Sequence, residues 1–211
     1  MDITLIEYIL KIIIVLFLAI VLHEYAHGWV ANRLGDPTAK MAGRLTLNPF
    51  KHIDPIGTVL LPGLLIAMRM MGYNTFVFGW AKPVPVNFMR LRNPKRDMIL
   101  VGMAGPAINV VMAVLFSLLM NLDLSFENLE LVVIAIFVNL LLAVFNMIPV
   151  PPLDGSRLVM GLLPDKLALP YIRLERYGIL IVVVLLWLGV FEKAILPIVE
   201  YLGGLLGVHF P

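Results

Sequence analysis

The stretch from Leu5 to Ala31 is almost continuously apolar, and four further apolar stretches follow it. A bilayer core is crossed by about 20 apolar residues in a helix. A chain built this way cannot hide its apolar surface inside a soluble fold. Of its 211 residues, 61% are hydrophobic and 14% charged, with a mean hydropathy of +0.96. The class is therefore an integral membrane protein, read as one transmembrane domain over residues 1–211. The net charge of +2 comes without a basic block of the kind that binds nucleic acid. With no cysteine in the chain, disulfides and thiolate metal sites are excluded. The first apolar run is too long for a signal-peptide core, and no small-residue cleavage site precedes His23.

The pattern predicts an all-α polytopic membrane protein with about five to six transmembrane segments. The first covers about Leu5–Ala31, with Glu7 and Lys11 spaced to pair near its start. A second run, Ile56–Gly72, is interrupted by Pro62-Gly63 and starts and ends on a basic side. It reads as a re-entrant hairpin within residues 56–78, between the first and third spans. The third span covers about Met98–Met120, the fourth Leu131–Ile148 and the fifth Tyr177–Val190. A weaker apolar tail, Ala194–Val208, returns or lies in the interface. Two stretches between the first and third spans read as membrane-associated strand or loop. "GRLTL" alternates, and "WAKPVPVN" has alternate prolines suited to an edge.

Lysine and arginine set the orientation. Three segments are basic: Arg33 to Lys51, Lys82 to Arg96, and Arg157 to Arg176. They are placed in the cytoplasm, and the acidic loop from Asp123 to Glu130 outside. The expected location is the cell membrane, multi-pass.

The first span carries ionisable residues that cost roughly 2.5–3.5 kcal/mol each at a helix centre. His23, Glu24 and His27 form H-E-x-x-H. The two histidines share one helix face, and Glu24 flanks it within reach of a metal-bound water. Zn²⁺ suits imidazole ligands and lowers the pKa of its water toward about 7. A third ligand is needed. His52 and His209 read as an interfacial loop residue and an incidental terminal one. Asp154, in "NMIPVPPLDGSRL", is the suggestive carboxylate. At 1.5 Å per residue, His23 lies roughly 20 Å beyond Ile9 toward the cytoplasm. The fourth span also runs outside to inside and uses up its helical length before Pro149, so Asp154 should arrive at the same level.

H-E-x-x-H on a membrane helix, with L-D-G far downstream after a proline break, resembles the site-2 protease family of intramembrane zinc metalloproteases. "HEYAHGWVANRLGDPTAKMAGRLTLNPFKHIDPIG", "FGWAKPVPVN", "NPKRD", "AGPAIN" and "NMIPVPPLDG" all carry the resemblance. It looks like a minimal bacterial or archaeal member, with no room for a PDZ or CBS domain. The resemblance implies one Zn²⁺ per chain held by His23, His27 and Asp154, with Glu24 as general base. It also implies a substrate that is a transmembrane segment of a protein or peptide, cut within or near the lipid membrane; the charge bias puts the expected active site toward the cytoplasmic side. Asn109, in "AGPAIN", is then a candidate contact to the scissile carbonyl or its oxyanion. An interhelical hydrogen bond is its alternative role. Gly102 and Gly105 read as close-packing positions, and Asn146 as an orienting residue for the Asp154 segment. The competing function is a metal-binding membrane transporter, which also places His and Asp in spans. The sequence carries no sign of oligomeric state.

Overall fold

The computed structural model describes residues 3–73, 79–122 and 124–210. Among them are nine α-helices: α1 Ile3–Arg33, α2 Thr38–Met41, α3 Leu61–Met70, α4 Pro94–Leu119, α5 Phe126–Asn146, α6 Gly155–Leu162, α7 Asp165–Ile172, α8 Gly178–Trp187 and α9 Leu196–Leu205. There is no strand among the described residues.

Three helices are long and apolar enough to cross a membrane. They are Leu10–Arg33 of α1, with mean hydropathy 1.8, α4 at 2.2 and α5 at 2.4. A fourth candidate is a pair, Asp165–Trp187 and Phe191–Leu205, bent by 70°. The expected fifth span therefore falls mainly on the ten-residue α8, the last part of the first limb of this bent pair. Gly189, at φ +76°, sits in the break between the limbs. A positive φ there suits glycine, which has no Cβ to clash.

The central helix is α4, which packs on α1, α5 and α6. Pro94 occupies its first position, where a missing N–H removes no helical bond. Buried Asp97, on the first turn, accepts the Asn93 N–H at 2.9 Å. Ala19 of α1 clusters with Ile134 and Val138 of α5. Lys11 of α1 pairs with Glu130 of α5 at 2.9 Å, and more loosely with Glu7 at 3.5 Å. The latter is the pair expected from their spacing. These contacts run in register, so α1 and α5 are parallel and α4 returns between them. A second cluster joins Ala113 of α4 and Ile136 and Leu140 of α5 to Val199 of α9. Leu10, Ile13, Ile14 and Leu18 stay about half exposed, as lipid-facing residues would.

The interruption expected at Pro62-Gly63 is absent. The helical path runs from Pro55 through wide π-type turns to Leu60 and straight into α3. Asp54 caps its start, accepting from the Ile56 and Gly57 N–H groups at 3.0 and 2.7 Å. Pro62 falls where the π-type turns pass into α3. The return limb of the expected hairpin falls on residues 74–78, outside the described residues, as does Asp123 of the acidic loop.

The residues expected to form an edge, Trp80–Asn87, form a strap without a partner strand. Its backbone groups are held by loops and side chains. The Trp80 N–H donates to the Gly57 carbonyl at 3.1 Å and the Lys82 N–H to the His52 carbonyl at 2.9 Å. Arg44 donates to the Lys82 carbonyl at 2.8 Å. Asp36 accepts the Asn87 N–H at 2.6 Å. Prolines 83 and 85 remove two donors that a sheet would need. "GRLTL" turns at Gly43 and bends rather than extending. His52 is fully buried, not an interfacial loop residue, because its Nε2–H donates to the Thr46 carbonyl at 2.9 Å under the strap.

Candidate metal centre

His23 and His27 lie in the last third of α1, one turn apart, both buried. Asp154 precedes α6, after the segment Ile148–Leu153 that carries three prolines and a cis Pro151-Pro152 bond. Its Oδ2 lies 2.9 Å from His23 Nε2 and 3.2 Å from His27 Nε2, and the two Nε2 atoms are 3.0 Å apart. Three of the sequence's site residues thus meet at one point, from segments about 130 positions apart.

The other ring nitrogens decide what these three atoms can do. His27 Nδ1 lies 2.6 Å from the Val101 carbonyl oxygen, which can only accept. Nδ1 therefore carries a proton, and in the neutral ring Nε2 offers a lone pair. His23 Nδ1 lies 2.6 Å from Asn109 Oδ1 in the same relation. Two imidazole lone pairs and a carboxylate oxygen then converge with no proton of their own between them. That donor set fits a cation. The ligand atoms of a tetrahedral Zn²⁺ site with bonds of about 2.0–2.1 Å are about 3.3 Å apart, close to the spacing here. Both histidines donate their outer N–H to an oxygen, as metal-bound histidines commonly do.

Close approach of α4 closes the site from behind. A Cβ added at Gly105 would overlap the imidazoles of both His23 and His27, and one at Gly102 would meet Arg157 Cβ at 2.7 Å. Both expected close-packing glycines are therefore in use. Gly105→Ala should push α4 off the histidine pair, costing about 1–3 kcal/mol as overpacking does. Zinc content and thermal unfolding of the purified variant measure this. Wild-type values in both would mean that α4 need not abut the site.

A cavity of about 280 Å³ opens in front, lined by both histidines, Glu24, Val84, Phe88, Asn146, Asp154 and Arg157. Glu24 Oε2 accepts the Val84 N–H of the strap at 2.6 Å. Arg157 forms a two-point pair with Glu175, at 2.9 and 3.3 Å, and stacks 5.1 Å over the Phe88 ring. Asn146 is at the cavity, with its amide donating to the Leu142 carbonyl at 3.0 Å.

Asn109 is fully buried behind His23. Its carboxamide NH₂ donates to Asn139 Oδ1 at 2.9 Å. His209 is exposed and stands outside this group. Sequence reasoning passed over Val84, Asp36, Arg157 and Asn139. Asn139 had a signal: it is a lone amide in "AIFVNLLLAV", where lipid gives it no partner. The strap's contribution is a backbone N–H, which leaves no mark in side-chain identity.

A model of Peptidase family M50 matches residues 11–126 and 124–189. The chain belongs to this peptidase family. It is the site-2 protease family that the motifs resemble. YwhC of Bacillus subtilis, provisionally named a zinc metalloprotease, is 38% identical over 184 residues, covering 82% of this chain and 78% of that protein. Rip2 of Mycolicibacterium smegmatis, named in the same provisional way, is 34% identical over 175 residues. That match covers 80% of this chain, which spans 63% of Rip2, less than two thirds of its length. A zinc metalloprotease of Methanocaldococcus jannaschii is 24% identical over 154 residues, 72% of this chain and 34% of that one. No solved structure matches the chain. Family, relatives and donor set agree on a membrane zinc metalloprotease, which displaces the transporter alternative.

Proposed function

We propose that this peptidase is an intramembrane endopeptidase, hydrolysing peptide bonds within or near transmembrane segments of protein or peptide substrates. His23, His27 and Asp154 hold one Zn²⁺, and Glu24 is the general base. The observation that carries this reading is the convergence of the three ligand atoms inside the helix bundle, beside a cavity that also receives Glu24. Zinc, when bound, supplies a Lewis acid that polarises a carbonyl and makes water more acidic.

The chain's own residues do the rest. Glu24 takes a proton from the attacking water and delivers it to the leaving amine. The Val84 N–H fixes one carboxylate oxygen, leaving Oε1 for that work. Asn109 orients the His23 ring from behind, a positioning role rather than the substrate contact its sequence motif suggests. Pro83, Val84 and Val86 wall the cavity, and an unwound substrate segment can lie against them.

In this reading the protein is multi-pass, as one domain over residues 1–211. α1, α4 and α5 cross the bilayer. The two limbs of the bent pair and the Pro55–Met70 helix bring the segments to the expected five to six. The basic segments meet at the site's end of the bundle: Arg92 N–H donates to the Leu34 carbonyl at 3.0 Å, and Lys95 pairs with Asp165 at 2.8 Å. The lysine and arginine bias puts that end in the cytoplasm.

The test is cleavage of a model transmembrane peptide by purified, zinc-loaded protein in detergent, with products located by mass spectrometry. Cuts inside the apolar stretch or at its cytoplasmic edge, abolished by a zinc chelator, are expected. A protein that leaves this peptide intact yet digests unfolded soluble casein would be a different kind of protease.

A further inference from the structure

A chain of buried amides links α5 to the metal centre, and its polarity can be worked out from its far end. Asn139 is buried in the middle of α5, among apolar neighbours. Its carboxamide lies 2.8 Å from the Ala135 carbonyl oxygen. A carbonyl can only accept, so the NH₂ of Asn139 must face it. Oδ1 of Asn139 then points the other way, toward Asn109, at 2.9 Å. An oxygen there requires the NH₂ of Asn109, whose second hydrogen faces the Ala19 carbonyl at 3.5 Å. Asn109 must therefore turn its own Oδ1 to His23 Nδ1, 2.6 Å away. That acceptor calls for a proton on Nδ1 and leaves the Nε2 lone pair directed at Asp154 and His27.

We propose that Asn139 is a positioning residue for the metal site. Through the Asn109 amide it holds His23 in the one tautomer and ring orientation that leaves Nε2 free for a metal. The Ala135 carbonyl fixes the direction of the whole chain. Without Asn139, only the longer 3.5 Å contact to the Ala19 carbonyl still favours one direction of the Asn109 amide. Turned over, it would present NH₂ to His23, favour the other tautomer and place a hydrogen on Nε2. Asn139 is outside the His23, His27 and Asp154 group and does not line the cavity, so it acts only through this relay. Outer hydrogen-bond partners of metal-bound histidines commonly contribute about 10–100-fold in metal affinity.

The inference rests on the reading of His23 as a zinc ligand, so the test separates the two. Zinc affinity of the purified protein in detergent is measured by competition with a chromophoric chelator, and folding by thermal unfolding of the same samples. Asn139→Leu removes the polarity while filling the space, and Asn139→Ala serves if the leucine variant does not fold. Affinity should fall about tenfold or more in a folded protein. Asn139→Asp should restore it, because a buried carboxyl stays neutral in this setting. Its hydroxyl then donates to Ala135 and its carbonyl accepts from Asn109. His23→Ala is the control arm. If it loses zinc while the leucine and alanine variants bind as wild type, the relay is wrong and the ligand assignment stands. If the aspartate variant fares no better than leucine, polarity is not what Asn139 contributes. If His23→Ala itself keeps wild-type affinity, both readings fall.

Discussion

Glu24→Gln should yield a folded, zinc-loaded protein that cuts its substrate about 10²–10⁴-fold more slowly, the usual effect of removing a general base. The substitution is informative because of the strap. The Val84 N–H donates to Glu24 Oε2 at 2.6 Å, and a glutamine carbonyl can still accept it. The strap and the cavity wall are thus retained, and only the capacity to carry a proton is lost. Glu24→Ala would remove both at once and confuse the two effects. Cleavage rate and zinc content on one preparation provide the measurement. A rate near wild type would mean that another group is the base. Loss of zinc together with the fold would make Glu24 a structural residue whose main task is to hold the strap.

His23→Ala, His27→Ala and Asp154→Ala should each weaken zinc binding by more than about 10²-fold, since outer partners alone account for about 10–100-fold. Elemental analysis after dialysis should find all three variants nearly free of metal. They should not be equally stable. Truncating His23 strands the Asn109 oxygen, and truncating His27 strands the Val101 carbonyl from its side-chain donor. A buried group left without its partner costs about 1–3 kcal/mol. Asp154 is only partly buried, so its alanine variant should lose metal with the smaller drop in thermal stability. Full zinc occupancy in Asp154→Ala, with activity intact, would remove it from the ligand set.

The H-E-x-x-H face needed only helical periodicity to read, because residues four apart share a face wherever the helix sits. Asp154 was legible for a different reason. A bilayer acts as a ruler, and counting rise per residue along two spans brings Asp154 to the level of the histidines. His52 and Pro62 were not legible. A histidine in a loop is buried or exposed according to which backbone it lies beneath, here the strap some 30 positions later. A Pro-Gly pair fits a break as well as a passage from one kind of helical turn to another, and the path capped by Asp54 takes the second course.

Depth in the membrane is set by local composition, so the sequence by itself determined the membrane class, the three long spans and the common level of His23, His27 and Asp154. Rotation of each helix about its axis is set only by what it packs against. The tertiary structure therefore decided that Gly105 and Asn109 of α4 face the histidines rather than lipid. It also decided that Asn139 of α5 stands behind Asn109, and that the strap delivers a backbone N–H to Glu24. Lipid tails are as apolar as leucine, so hydropathy measures how deep a residue lies and carries little information about which neighbour it faces.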